Sequence, residues 1–349
     1  MARDKEFGRD FDIAIITPHL QRENSIVREL FDRWVLPGQD SQDGRKPLRL
    51  ALRDGYLNLY ADGQSVACLS KHKCGLRMSV AEAYVPSFLS ATSTVRKNCR
   101  FEGDQLQVPN PANAIDEIVR LALEHKTRSA EKCFVEHLIA ANANIIEVEM
   151  ALPGETNLPS VRRKWRNKDA KKIAPRMDIV AVHILPDGRP QIDFWEAKLA
   201  DNGELRATLR EDGGKEEPNV REQLLDYENW MRRPHRHDQV AAGFTSAGQV
   251  LDSLAAVAGK DGQAREYWRK LGATAPEINP RPGVVIGNYS PSTGKRIESA
   301  KSFAKHRARL KSLYSVADKL TFPAIQVIEV DSRAHDNRLF NQPMSIAQT

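Results

Sequence analysis

Residues 177–198, MDIVAVHILPDGRPQIDFWEAK, hold the side chains best suited to chemistry: Asp178 near the start, Glu196 and Lys198 at the end. Asp187-Gly188, with a proline on either side, marks a turn between two alternating apolar runs. Two antiparallel strands are expected there. Side chains along a strand alternate between faces. Asp178, Val180, Val182 and Ile184 therefore share one face, and Ile192, Phe194, Glu196 and Lys198 share another. Counting out from the turn sets Asp178 roughly opposite Lys198. If the two rows coincide, an apolar stripe runs out into an aspartate, a glutamate and a lysine. Two carboxylates about 4 Å apart repel by roughly 4 kcal/mol at an effective dielectric near 20, so a fold seldom keeps them together without a cation. Mg²⁺ or Mn²⁺ takes hard oxygen ligands, so one or two of these carboxylates plus a backbone carbonyl would make a natural site. Lys198 beside the ion would orient water, lower its pKa or stabilise charge on a phosphate. An ion pair closing a strand end, between Lys198 and Glu196 or Asp178, uses the same residues without any chemistry.

Elements on both sides must position these residues. Upstream, 112–124 and 129–142 read as helices. The second, SAEKCFVEHLIAANAN, opens on Ser129 as N-cap and carries Phe134, Leu138 and Ile139 at helical spacing. IIEVEMAL follows as a strand. Downstream come a polar Gly- and Glu-rich loop (201–218), a helix over 219–231, a longer helical and loop region, the strand GVVIGNY (283–289), a basic helix near 299–320 and the strand AIQVIEV (324–330). Strands and helices alternating in this way predict a mixed α/β core. Residues 1–108 read as a separate β-rich domain. Asp54-Gly55 and Asp62-Gly63 punctuate three strands within 47–70, FDIAII (11–16) is a further expected strand, and 25–34 an expected helix. VPNPAN (108–113) is the expected boundary, leaving 109–349 as the second domain.

The pattern Asp, hairpin, Glu-x-Lys resembles the signature of the PD-(D/E)XK nuclease superfamily, carried here by Asp178, Glu196 and Lys198 with PRMD as its first half. The resemblance implies a restriction-endonuclease-like mixed β-sheet core flanked by helices, and Mg²⁺-dependent hydrolysis of DNA phosphodiesters. Gln223 and Tyr227 lie four residues apart in NVREQLLDYENWM, hence on one helix face. They resemble the Q-x-x-x-Y element that several nuclease branches place beside the active site, although Tyr227 also fits an apolar stripe with Val220, Leu224 and Met231. Many members supply a glutamate from the first core helix to the metal. Glu131 is the candidate here, with Glu136 the alternative. In layout, residues 126–335 look like Shedu-type anti-phage nucleases. That similarity implies prokaryotic defence, oligomeric assembly and an N-terminal domain coupled to the nuclease. A non-cleaving module binding nucleic acid or protein, and a nuclease acting on RNA, remain open alternatives.

The segment 162–172, RRKWRNKDAKK, has seven Lys or Arg against one Asp and ends six residues before Asp178. Arg162, Arg163, Lys164, Arg166, Lys168, Lys171 and Lys172 would contact a phosphate backbone there, with Trp165 stacking on a base or sugar and Tyr227 beside the site. Arg206, Arg210 and RRPHRH (232–237) would extend this surface. Overall the chain holds 52 Lys and Arg against 46 Asp and Glu among 349 residues, a mild basic excess compatible with a polyanionic partner. No P-loop motif is present, so no nucleotide-driven motor is expected in this chain. No apolar run approaches the roughly 18–20 residues of a membrane span, and a cytoplasmic protein is expected. Cys68, Cys74, Cys99 and Cys133 are irregularly spaced, which predicts reduced thiols rather than a zinc site; none follows Cys133, which departs from the iron–sulfur branch of the superfamily that the hairpin resembles.

Overall fold

The Asp-Gly pairs build the first sheet. In the computed structural model, which describes residues 6–41, 43–73, 75–89, 93–95, 98–125, 129–153, 176–206, 219–233, 235–287 and 327–329, Gly55 has φ +77°, Asp62 +46° and Gly63 +67°. These left-handed values are what tight hairpin turns demand. They join β1 (Arg49–Arg53), β2 (Tyr56–Ala61) and β3 (Gln64–His72), followed by β4 (Gly75–Ala81), β5 (Ser93–Val95) and β6 (Asn98–Glu102). Their spatial order is β1-β2-β3-β4-β6-β5, antiparallel throughout. Before this sheet, residues 11–16 do not form the expected strand. Asp12 caps a 3₁₀ turn at Ile13–Ile15, and Pro18 at the start of α1 (Thr17–Leu20) favours helix over strand. α2 (Ile26–Asp32) is capped by Ser25.

Within the segment 108–113 a helix begins. Asn110 accepts from the Asn113 N–H at 3.0 Å and Pro111 occupies the first turn of α3 (Pro111–Glu124), where its missing N–H is harmless. α3 buries Ala114, Ile115, Ile118, Val119 and Ala122. The buried Arg33 draws α3 towards α2, donating to Asp116 at 2.6 Å and to the Ala112 carbonyl at 3.0 Å. α4 (Ala130–Ala141) is held through Glu136, which accepts from the buried Arg49 of β1 at 2.7 Å. Residues 109–146 therefore group with the first unit, Gly8–Ile146 plus Ala242–Ala275; the second unit is Met1–Phe7, Glu147–Ala241 and Pro276–Thr349.

α6 (Arg236–Val257) and α7 (Gln263–Ala273) follow. A Cβ on Gly248 would lie 2.6 Å from the Gly272 nitrogen, so the two backbones touch there. Trp268 stacks on Trp34 at 6.2 Å. By length and composition α6 meets the requirement for a membrane span, but half of its apolar window is buried within the protein. Cys68, Cys99 and Cys133 are free thiols.

The second sheet runs β12-β11-β9-β8-β7, formed by β7 (Ile145–Ala151), β8 (Arg176–Ile184), β9 (Pro190–Leu199), β11 (Gly283–Gly287) and β12 (Val327–Glu329); the short β10 (Glu277–Ile278) also pairs with β9. β8 and β9 are antiparallel, whereas β10 and β11 run parallel to β9 and β12 parallel to β11. Parallel pairing needs a long crossover, and α5 (Asn219–Met231), α6 and α7 lie between β9 and β11 in the chain. The protein is thus a mixed α/β chain. β9 is flanked on both sides and all ten of its residues are buried, which is why its run of Ile, Phe, Trp and Leu is nearly continuous.

Candidate functional site

The register decides which side chains meet. Ile179 pairs with Trp195, Val180 with Phe194 and Val182 with Ile192. Val180, Val182, Ile192 and Phe194 therefore share a face, and one further step sets Asp178 across from Glu196 rather than Lys198. Asp178 turns its carboxylate onto the ladder, where Oδ2 accepts from the Ala197 N–H at 2.8 Å. In a strand the N–H and C=O of one residue point to the same side, so the Ala197 carbonyl faces the β8 side as well. Tyr227 of α5 covers the face with its ring 5.3 Å from that of Phe194. On the other flank, Val284 pairs with Glu196 and Ile286 with Lys198. The charged end of the stripe is thus walled by apolar side chains.

Glu196 and Lys198 are 4% and 5% exposed, and Asp178 is half-buried. Lys198 Nζ lies 2.7 Å from Glu196 Oε1 and 3.0 Å from Glu204 Oε2. Burial pushes the Asp178 carboxyl well above the usual carboxylate range, and the charge of Glu196 pushes it further. The Lys198 ammonium and the Ala197 N–H pull it down, while Glu149 adds to the rise. Asp178 and Glu196 thus oppose each other's ionisation.

Glu204 and Glu149 are site residues that the sequence did not single out. Glu204 stands in a 3₁₀ turn, Gly203–Leu205, whose cap Asn202 accepts from the Glu204 N–H at 2.8 Å. The Asn-Gly pair before it was a readable turn signal, though nothing in it named the lysine as partner. Glu149 lies on β7 with φ +52° and its Oε2 3.8 Å from Arg176 Nη1. A left-handed glutamate inside a strand has no sequence signature.

The other expected residues fall in different places. Gln223 lies one turn before Tyr227 on α5, which packs against the Gly203–Leu205 turn. Its Oε1 is buried and accepts no hydrogen bond from the described residues. Tyr227 is fully buried, with its hydroxyl 3.7 Å from Met150 Sδ. It is a core residue, its ring packed against that of Phe194. Glu131 opens α4 in the first unit, and Glu136 is committed to Arg49. Arg162, Arg163, Lys164, Trp165, Arg166, Lys168, Lys171 and Lys172 lie outside the described residues, as do Arg210, Cys74 and the expected basic helix at 299–320.

A second polar cluster occupies the opposite face of β8–β9. Asp193 Oδ1 accepts from Gln191 Nε2 at 2.8 Å and Asn279 Nδ2 at 3.0 Å, and its Oδ2 lies 3.3 Å from His183 Nε2. Burial pushes the His183 imidazole down to about 4. Although its distance to Asp193 would favour the charged form, burial prevails and the ring is neutral at pH 7.

Asp178, Glu196 and the Ala197 carbonyl form a small set of hard oxygen donors. It fits a hydrated Mg²⁺, which keeps several waters and needs few protein ligands. Among the described residues no group of three or more His, Cys, Asp or Glu side chains is arranged to hold an ion, so the set does not fit a fully protein-caged metal. No protein-family model matches the chain, and neither curated proteins nor solved structures give a match.

Proposed function

We propose that the protein is a Mg²⁺-dependent nuclease that hydrolyses DNA phosphodiester bonds, with a restriction-endonuclease-like core in its second unit. The observation that carries this reading is the facing pair Asp178 and Glu196, each raising the other's cost of ionisation, beside a buried lysine. A divalent cation relieves that repulsion. When bound, the ion supplies charge neutralisation at the phosphate and a more acidic water.

The chain's own groups would do the rest. Asp178, Glu196 and the Ala197 carbonyl hold the ion. Lys198 orients the attacking water or a non-bridging phosphate oxygen, supplying positive charge where negative charge develops. Hydrolysis forms one P–O bond to the water oxygen and breaks another, and the water's proton ends on the leaving oxygen. The apolar flank of Val284, Ile286 and Phe194 keeps bulk water from the charged end of the stripe. Gln223 on α5, whose Oε1 is buried, would orient Lys198 or a phosphate. The basic stretch 162–172, immediately before β8 in sequence, would track the phosphate backbone. A role in prokaryotic anti-phage defence, and homo-oligomeric assembly, belong to the same reading.

A second reading has its own support. Asp178 is satisfied by the Ala197 N–H and Lys198 by two carboxylates, so the groups also make sense as a closed polar cap on the sheet. The protein would then bind nucleic acid or another protein without cutting. Incubation with linear, circular and single-stranded DNA, with and without Mg²⁺ and beside Lys198→Ala, separates the two. A nuclease loses turnover in EDTA and in the variant. Salt-sensitive binding indifferent to EDTA, with no cleavage, would favour the binder.

A further inference from the structure

Lys198 Nζ lies 2.7 Å from Glu196 and 3.0 Å from Glu204, and a metal-binding role for the first carboxylate changes the part of the second. If Glu196 turns its charge to a cation, the ammonium beside it is repelled by that cation and loses much of its nearest counter-charge. Glu204, with Oε2 3.0 Å from Nζ, is a carboxylate that stays beside it. Its place is fixed independently of Lys198. The Asn202 side chain caps the Gly203–Leu205 turn at 2.8 Å, α5 packs against that turn, and Leu205 is fully buried beneath it. The turn begins only a few residues after Lys198, at the exit of β9, so it holds Glu204 within 3.0 Å of Nζ.

We infer that Glu204 is a positioning residue for Lys198, keeping the ammonium at the site while Glu196 is occupied by a divalent cation. This rests on the nuclease reading above. Glu204 itself touches neither substrate nor ion in this account; it acts through Lys198. Without it, the ammonium loses the carboxylate 3.0 Å away and leans more on Glu196, the group the cation also draws on.

The test uses the full chain with Glu204→Ala, Glu204→Gln and Lys198→Met, and three readouts. Mg²⁺ binding is measured by titration calorimetry, kcat and KM by cleavage of a DNA fragment, and pairing by urea midpoints of single and double variants in EDTA. Expected are several-fold weaker Mg²⁺ binding in Glu204→Ala and a kcat lower by about 10- to 100-fold with KM for DNA unchanged, the scale of a misplaced catalytic group. Glu204→Gln, which keeps an acceptor for the ammonium, recovers part of both. The midpoint shift of Glu204→Ala disappears in the Lys198→Met background, as coupling through that lysine requires. Wild-type metal binding and cleavage with an unaltered kcat in Glu204→Ala, or additive midpoint shifts, would overturn this inference alone. A wild-type chain that neither binds Mg²⁺ nor cleaves DNA would overturn it together with the nuclease reading.

Discussion

The Asp178 carboxylate accepts the backbone N–H of Ala197 at 2.8 Å. The residue between Glu196 and Lys198 is therefore tied to the aspartate of the neighbouring strand, and the three charged side chains are held at one end of one hairpin. The bond keeps Asp178 in place where burial and Glu196 oppose its charge.

That opposition has a pH signature. Because its folded-state pKa is raised, Asp178 keeps its proton to higher pH in the folded chain than in the unfolded one, whose value lies near 3.8. It does not penalise folding below that value, and stability is lost as pH rises through the folded-state range. Asp178→Asn keeps an acceptor for Ala197 and removes the charge. In EDTA it should melt a few degrees above wild type at pH 8, with the advantage vanishing towards pH 4. Calorimetric melting across that range checks this, and a variant less stable at pH 8 than wild type contradicts it.

Asp178→Ala, Glu196→Ala and Lys198→Ala should each lower Mg²⁺-dependent cleavage by about 10²–10⁴-fold, the usual loss for a group acting in the transition state. Circular dichroism should show that the fold persists. Retained cleavage in all three purified variants would reject the assignment.

Tyr227 separates core from contact surface. Tyr227→Phe keeps the ring and removes the hydroxyl that lies 3.7 Å from Met150 Sδ, so DNA affinity and cleavage should stay within about twofold of wild type. Tyr227→Ala opens a cavity beside Phe194 and should cost about 3–5 kcal/mol, read from urea unfolding. A loss of DNA affinity in the phenylalanine variant would restore the tyrosine to the interface.

Glu136 is assigned to structure. Glu136→Ala leaves the Arg49 guanidinium buried with only the Val35, Leu36 and Gln39 carbonyls, a loss on the order of 3–5 kcal/mol for a broken buried pair. Glu136→Gln keeps an acceptor and should cost less. Mg²⁺ affinity in Glu136→Gln should match wild type, and a weakened affinity by calorimetry would return Glu136 to the metal site.

Local chemistry determined much of this chain from its sequence. Asp-Gly turns fixed β1 to β3 and the β8–β9 hairpin, Ser25 and Ser129 opened their helices, and period-two alternation placed Glu196 and Lys198 in the row of Ile192 and Phe194. These signals act over a few residues and need no distant partner. Tertiary structure alone decided the rest. Pro111 reads equally as a break or as a first helical residue, and the buried Arg33 and Arg49 drew α3 and α4 to the first unit. The strand register, a property of two segments at once, put Asp178 across from Glu196. Burial on both flanks of β9 made Tyr227 a core residue and gave Lys198 a second carboxylate in Glu204. Pairing, burial and electrostatic coupling depend on what lies across space, and no spacing along a single strand encodes that.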